Sequence, residues 1–372
     1  MTDARPLWAL GLMSGTSLDG VDAALVLTDG ESVDAFGPTL FRPYTDAERD
    51  VLRAALGDAT AIARRDERPG AVAEAERIVT DVHAAAVSDL LAKAAGEGIS
   101  ADVVGFHGQT VFHAPDRGLT VQIGDAARLS SAAGLPVVHD FRAADVAAGG
   151  QGAPLVPVYH RALASRAGLD RPAAILNVGG VANVTLIDEA GGMLAFDTGP
   201  GNALIDDCVA RETGARFDQD GSIAADGVVN EAIVGMFLAH PFFQVRPPKS
   251  LDRMAFHGLA AAELAALSFA DRVATLTAVT AATVALGLTA ASKPVRTLVV
   301  AGGGARNRTL MGMLAARTGA VVASADSVGL SGDFLEAQAF GFLAVRRLRR
   351  LPGSYPGTTG VPVETIGGVV TG

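Results

Sequence analysis

The chain has 372 residues, enough for about two to three ordinary domains, and 49% hydrophobic against 19% charged residues excludes a disordered chain. A formal net charge of −10 excludes the clustered Lys and Arg surface that a nucleic-acid partner requires. Cys208 is the only cysteine, so an internal disulfide is excluded and a reducing, cytoplasmic setting is expected. Asp3-Ala4-Arg5-Pro6 precedes a short apolar run with no leader-like h-region or cleavage site, so no secretory leader is expected.

Residues 10–26 hold two apolar runs around Met13-Ser14-Gly15-Thr16-Ser17-Leu18-Asp19-Gly20-Val21-Asp22. Short apolar runs about a small, Gly-containing turn predict a β-hairpin. Gly15 and Gly20 let backbone approach a ligand, and successive N–H groups in such a turn form a concave nest for anions. Ser14, Thr16 and Ser17 add hydroxyl donors. Asp19 and Asp22 would repel a bare phosphate, so Mg²⁺ is expected beside it, with Asp19 facing the metal. An ordinary hairpin with polar turn residues is the alternative on this stretch alone.

Residues 33–41 read as a third strand of the same sheet. Residues 71–95 predict a helix, with Val72, Ile78, Val79, Val82, Ala86, Leu90 and Leu91 on one stripe and Gly96 as its C′ residue. Residues 102–106 predict a buried strand running into a loop, His107-Gly108-Gln109-Thr110-Val111-Phe112-His113. A strand's carboxyl end is where open α/β sheets bind ligands, and His107, Gln109 and Thr110 suit sugar hydroxyls. A metal site with His139 as third ligand, or loop polars satisfied by backbone, are the alternatives. Residues 119–123 read as a strand before a short helix capped by Asp125, which also lines the expected site. After a strand at 136–139 comes Asp140-Phe141-Arg142, and a lobe boundary is placed there, before the Gly-rich stretch at 147–154.

The second half repeats the first. Residues 173–187 read as strand, glycine turn and strand, a second candidate phosphate hairpin with Asn177, Gly179 and Gly180. The strand at 193–196 delivers Asp197 to a loop, Thr198-Gly199-Pro200-Gly201-Asn202, where a carboxylate could act as a base or only hold the turn. Asp206 and Asp207, one turn into the next helix, read as structural. Residues 273–292 carry no charge and are as long as a membrane span, but their Ala and Thr content reads as a buried core helix. Residues 296–308 give a strand, then Gly302-Gly303-Gly304, then a helix near Asn307, which suits close approach of a nucleotide base or ribose. GxGxxG spacing and GxxxxGK[ST] are both absent, which weakens a dinucleotide fold and excludes a P-loop. Gly332-Asp333 opens a last helix to about Arg350, with Glu336 in its first turn and the basic run 346–350 as a solvated end. The expected lobes are 1–142 and 143–350, followed by a tail of turns and a short strand at 351–372.

Two glycine hairpins, each opening a lobe, and a strand–GGG–helix element resemble the sugar kinase, Hsp70 and actin superfamily. Met13-Ser-Gly-Thr-Ser-Leu-Asp-Gly-Val-Asp22, His107-Gly-Gln-Thr-Val111, Gln122-Ile-Gly-Asp125, Asp140-Phe-Arg142, Asp197-Thr-Gly-Pro-Gly-Asn202 and Gly332-Asp-x-x-Glu-Ala337 resemble the anhydro-N-acetylmuramic acid kinases, in order along the chain. The resemblance implies a two-lobed α/β fold with ATP in an interlobe cleft, and an anhydro sugar opened by water and phosphorylated on O6 for cell-wall recycling. It implies Asp197 as base, residues 15–22 as the ATP site, and His107, Asp125, Arg142 and Glu336 on the sugar side. A homodimer is the accompanying expectation. A kinase acting on a plain hydroxyl and an ATP-gated sugar sensor are the alternatives. Lys249-Ser250-Leu251-Asp252-Arg253 keeps a family-like spacing but is assigned no site role.

Overall fold

The computed structural model describes residues 5–15 and 17–372, so Thr16 lies outside the described residues. The chain divides into two compact units, one of residues up to Arg166 together with Phe334–Gly372, the other Ala167–Asp333.

The first unit opens with β1 (Leu7–Met13), β2 (Gly20–Thr28) and β3 (Val33–Pro43), an antiparallel run as the alternating turn chemistry predicts. Helices α1 (Asp46–Asp58) and α2 (Val72–Gly96) follow, then β4 (Val103–Phe106). The expected apolar stripe of α2 is buried against the sheet except for Leu91, which is only partly buried, and the helix runs one residue past Ala95, through Gly96. Gly98, at φ 73°, takes the left-handed position after it, so Gly96 is not the C′ residue. β5 (Gln109–Ala114) and β6 (Leu119–Ile123) form a separate two-stranded sheet, so the expected loop after His107 is largely strand. Its register slips between Thr110 and Phe112, which hides the period-2 pattern in the sequence. Next come α3 (Ala126–Ala133), β7 (Val137–His139), α4 (Ala143–Ala147) and α5 (Pro157–Arg166).

The second unit holds β8 (Ala173–Val178), β9 (Val181–Ile187), β10 (Met193–Pro200) and α6 (Ala203–Thr213). Then follow α7 (Ser222–Asp226), α8 (Glu231–Leu238), α9 (His257–Glu263), α10 (Phe269–Leu288), β11 (Thr297–Ala301), α11 (Arg308–Thr318) and β12 (Val321–Ser324). Among the described residues α10 is long and apolar enough to cross a membrane, yet it forms the centre of this unit's core, with Val273, Leu276, Val279 and Val284 buried. Its buried threonines are paired, some within the helix and some beyond it: the Thr277 hydroxyl donates to the Val273 carbonyl at 2.8 Å, and the Thr280 hydroxyl to the Gly201 carbonyl at 3.1 Å.

The chain then returns to the first unit with α12 (Leu335–Leu348), α13 (Pro356–Thr359) and β13 (Val369–Thr371). The expected boundaries at 142 and 350 do not coincide with this division. Tyr159 of α5 donates to Gln338 of α12 at 3.0 Å and packs its ring, tilted, on Phe342, which holds both helices in the first unit. The basic run is also not a solvated helix end. Arg346 is buried, with its guanidinium donating to the carbonyls of Gly30 and Pro352, each at 2.6 Å, and Arg347 donates to the Gly368 carbonyl at 2.7 Å. These bonds tie the tail to the sheet.

The main sheets of the two units share a five-strand order, to which the first adds β13 antiparallel beside β7. The main sheets run β13-β7-β4-β1-β2-β3 and β10-β9-β8-β11-β12. In each, three antiparallel strands are followed by two that add in parallel beside the first. The second unit therefore repeats the first, as the two glycine hairpins suggest.

Candidate active site

In the first unit β1, β4 and β7 are parallel, so their carboxyl ends share one edge of the sheet. That edge is where an open α/β sheet binds ligands. β1 leads into the turn at 14–19, β4 into His107, and β7 into Asp140-Phe141-Arg142.

The turn is braced from behind. Leu18 sits at φ 55° with its side chain buried, and its N–H donates to the Gly15 carbonyl at 3.3 Å. The buried Ser14 hydroxyl donates to the Gly108 carbonyl at 3.2 Å, and the Gln109 amide donates to the Gly15 carbonyl at 3.2 Å. The Tyr44 N–H donates to the Asp19 carbonyl at 3.0 Å, and burial pushes the Tyr44 phenol well above its ordinary range. Tyr44 escaped the sequence reading because a lone aromatic after a strand carries no motif. At the open side the Ser17 hydroxyl donates to Asp19 Oδ1 at 2.8 Å, and both side chains are exposed. Gly20 is glycine for packing, since a Cβ there would lie 2.4 Å from the Arg42 carbonyl. Asp22 lies within β2, paired in register with Met13.

His107 is buried and has both ring nitrogens engaged. Nδ1 lies 2.7 Å from the Gly108 carbonyl, and Nε2 accepts from Arg142 Nε at 3.1 Å. Burial, then the Arg142 charge, hold its pKa well below the ordinary range, so the ring is neutral with the proton on Nδ1. The expected sugar-facing imidazole is thus a support for Arg142. Arg142 Nη1 donates to the Gly152 carbonyl at 2.8 Å, and Asp145 fixes Gly152 by accepting its N–H at 2.6 Å. Glu336 lies in the first turn of α12, open to solvent. The surrounding protein raises its carboxyl above the ordinary range, and Arg142 pulls it back. Arg142 and Glu336 therefore act on each other's charge, with no direct ion pair between them among the described residues. Elsewhere Thr110 accepts from Gln122 at 3.3 Å, and Asp125 caps α3 by accepting the Arg128 N–H at 2.9 Å. The three histidines weighed as a metal site have separate partners, His113 bonding Thr120 and His139 bonding Thr371, each at 3.0 Å. Among the described residues there is no cluster of three metal-ligating side chains.

In the second unit β8, β10 and β11 run parallel, with β9 antiparallel between two of them. Their carboxyl ends bring Gly179-Gly180, Asp197 to Asn202, and Gly302 to Gly304 to one edge. Asn202 ties the turn down: its N–H donates to the Gly179 carbonyl at 2.7 Å and its side-chain amide to the Val178 carbonyl at 3.0 Å. Gly302, at φ 75°, passes Asn177 so closely that a Cβ would lie 2.4 Å from Asn177 Oδ1. Asn307 is buried and caps α11, accepting the Leu310 N–H at 2.8 Å.

Asp197 lies within β10 rather than in the loop after it, beside a bulge between Asp197 and Gly199. Its N–H donates to the Lys249 carbonyl at 2.9 Å, and its Oδ2 accepts the Leu251 N–H at 2.7 Å. Among the described residues no donor reaches Oδ1. Burial pushes the carboxyl up to about 6, against the pull of the Leu251 amide. This is the pKa range in which a carboxylate is both ionised near neutrality and basic enough to take a proton. Asp206 is also pushed up to about 6, by burial and then by Asp207. Asp207 accepts from His257 Nε2 at 2.8 Å, so its place in the helix is held by a side-chain bond the sequence does not reveal.

Two α/β units of the same strand order, each with a glycine turn at the carboxyl ends of its parallel strands, define a sugar kinase or actin-like fold. The family model described as anhydro-N-acetylmuramic acid kinase matches residues 7–372, and the chain belongs to that family. A relative from Rhodopseudomonas palustris strain HaA2 with that name is 56% identical over 97% of this chain and 98% of its own length. Another so named, from Nitrobacter winogradskyi, is 55% identical over 98% of this chain and 99% of its own. Among solved structures, a xyloylose kinase from Brucella ovis aligns over 98% of this chain and 95% of its own, with TM-score 0.47 and 11% identity.

Proposed function

We propose that the protein uses ATP to convert 1,6-anhydro-N-acetylmuramic acid to N-acetylmuramic acid 6-phosphate and ADP, a step of cell-wall recycling. The observation that carries this reading is Asp197, a partly buried carboxylate pushed up to about 6 with one oxygen held by an amide and the other unbonded. Asp197 takes a proton from water as the water oxygen bonds the anomeric carbon. The bond from that carbon to O6 breaks, and O6 takes the γ-phosphoryl group as the bond to the ADP oxygen breaks. The turn at 14–19 supports the phosphates through backbone N–H groups and the Ser14 and Ser17 hydroxyls. Asp19 and Ser17 present two exposed hard oxygens, a donor set that fits Mg²⁺ held partly by water. When bound, Mg²⁺ offsets the charge of the phosphate oxygens. Arg142, with Glu336, is the sugar-side pair: the guanidinium suits the sugar's carboxylate and Glu336 accepts from hydroxyls. The triple glycine at 302–304 suits the nucleoside. The protein works in the cytoplasm, as a homodimer.

Turnover in ¹⁸O water tests the reading. Label at the anomeric position of a 6-phosphorylated product is the expected result. Phosphorylation of ordinary hexosamines without the anhydro sugar would move the protein to a plain-hydroxyl kinase.

The His107 geometry adds a prediction. His107→Phe keeps the ring on Phe340, whose centroid is 4.5 Å away, and removes the acceptor that aims Arg142. The KM for sugar is expected to rise about tenfold or more while the KM for ATP holds, since a charged donor loses its partner. Steady-state kinetics with each substrate varied in turn checks this.

A further inference from the structure

The stretch Lys249-Ser250-Leu251, which no step above uses, runs beside β10 and brackets one residue. The Asp197 N–H donates to the Lys249 carbonyl at 2.9 Å, and the Leu251 N–H donates to Asp197 Oδ2 at 2.7 Å. We propose that this stretch is a positioning strap for Asp197, anchored by Lys249, that selects Oδ1 as the oxygen that receives the proton. The inference rests on the reading of Asp197 as the base.

A carboxylate has two equivalent oxygens and turns freely about its last torsion. One amide bond to Oδ2 fixes that torsion and leaves Oδ1 as the oxygen with open lone pairs. The same bond favours the ionised form, against the burial that disfavours it. Among the described residues no charged side chain shares this task. Across the sheet the partner in β9 is Asn183, and from α10 Thr283 packs beneath Gly199. The one charged side chain on the strap sends its ammonium elsewhere.

That ammonium is the anchor. Lys249 Nζ donates to the Phe242 carbonyl at 2.9 Å and lies 4.2 Å from the centre of the Phe242 ring. The Phe243 ring is 5.6 Å away. Phe242 and Phe243 pack on the buried Phe256, at 6.4 and 5.8 Å between ring centres. Phe256 in turn stacks on Phe237 at 6.0 Å in the core around α10. The segment 245–256 that carries the strap has no strand or helix. Its hold therefore runs from the core through two aromatic rings and one ammonium to the amide that fixes the base.

Lys249→Met keeps the side-chain length and removes the charge, and Leu251→Pro removes the donating N–H itself. Each variant is compared with wild type for kcat, both KM values and the pH profile, with circular dichroism reporting the fold. Both are expected to lose about tenfold in kcat while both KM values stay within about twofold. The acid limb of the profile is expected to move up by roughly one pH unit. Lys249→Arg, which keeps a cation over the rings, should restore most of the loss. Wild-type kcat with an unmoved limb in both variants overturns the proposal, and so does a loss confined to KM. If Lys249→Met does not fold, Leu251→Pro carries the same readouts. Asp197→Asn separates the two claims: full activity there sinks the base itself, whereas a dead Asp197→Asn beside wild-type strap variants sinks only the strap.

Discussion

Asp197→Asn is expected to lose about a thousandfold in kcat, within the range for a general base, and yet to melt higher than wild type at pH 8. The two effects share one cause. The fold holds the Asp197 carboxyl near 6, above the ordinary 3.8. A carboxyl raised on folding favours the protonated form, so its stabilising share is present in full below about pH 4 and is lost as pH rises through about 6. At pH 8 the ionised carboxylate sits in surroundings that prefer a neutral group, a conflict worth up to about 3 kcal/mol. Asparagine has the same shape and no charge, and its carbonyl still accepts the Leu251 N–H. Melting by calorimetry should rise by about 5 °C at pH 8, and the gain should vanish at pH 4. In wild type the same carboxyl gives an acid limb near pH 6, with activity falling as pH falls. Asp206 is pushed into the same range, so an unmoved limb in Asp206→Asn assigns it to Asp197. An Asp197→Asn variant that keeps its turnover, or melts like wild type at both pH values, removes Asp197 from the base role.

Local turn and cap chemistry made much of this legible in the chain. The hairpin about Gly15 and Asp19, the second about Gly179 and Gly180, and the Asp125 cap all follow from residues within a few positions of each other. Such signals need no knowledge of the rest of the molecule. What stayed hidden depends on partners far along the chain. Arg346 reads as one of a run of helix-end cations, but its acceptors include the Gly30 carbonyl. His107 reads as a free ligand until β7 brings Arg142 to its Nε2. Lys249 carries no assigned role in the sequence, because the Phe242 carbonyl and ring that hold its ammonium are found only in the fold. The division of the chain was hidden for the same reason, because α12 packs on strands more than 200 residues earlier. Family motifs named Asp197 and the phosphate turn. The network that orients them is written in backbone atoms, which carry no sequence signature.

The strongest constraint of that kind predicts the largest loss of stability. Gly11→Ala is expected to destabilise the protein by about 3 kcal/mol or more, a drop in melting temperature of roughly 5 °C. Gly11 lies in β1 beside Gly105 of β4, and the two form a trough for the backbone of α12. A Cβ on Gly11 would stand 1.8 Å from the Ala337 carbonyl oxygen and 2.5 Å from the Gly341 nitrogen. One on Gly105 would stand 2.1 Å from the Phe340 oxygen. These obstacles are main chain, so no side chain can turn aside, and the helix must lift from the sheet. Lifting it has a functional consequence, because the first turn of α12 carries Glu336 and β1 runs straight into Ser14 and Gly15. The folded fraction of Gly11→Ala should therefore show raised KM values for both sugar and ATP. Gly57→Ala is the control: that glycine lies in α1 with nothing within 4 Å of its missing Cβ, so alanine there should be neutral or stabilise by up to about 1 kcal/mol. Equal melting of the two variants would mean that the close approach of α12 to β1 does not set the stability of this unit. A drop for Gly11→Ala alone, with both KM values raised, would tie the phosphate turn and Glu336 to one backbone contact.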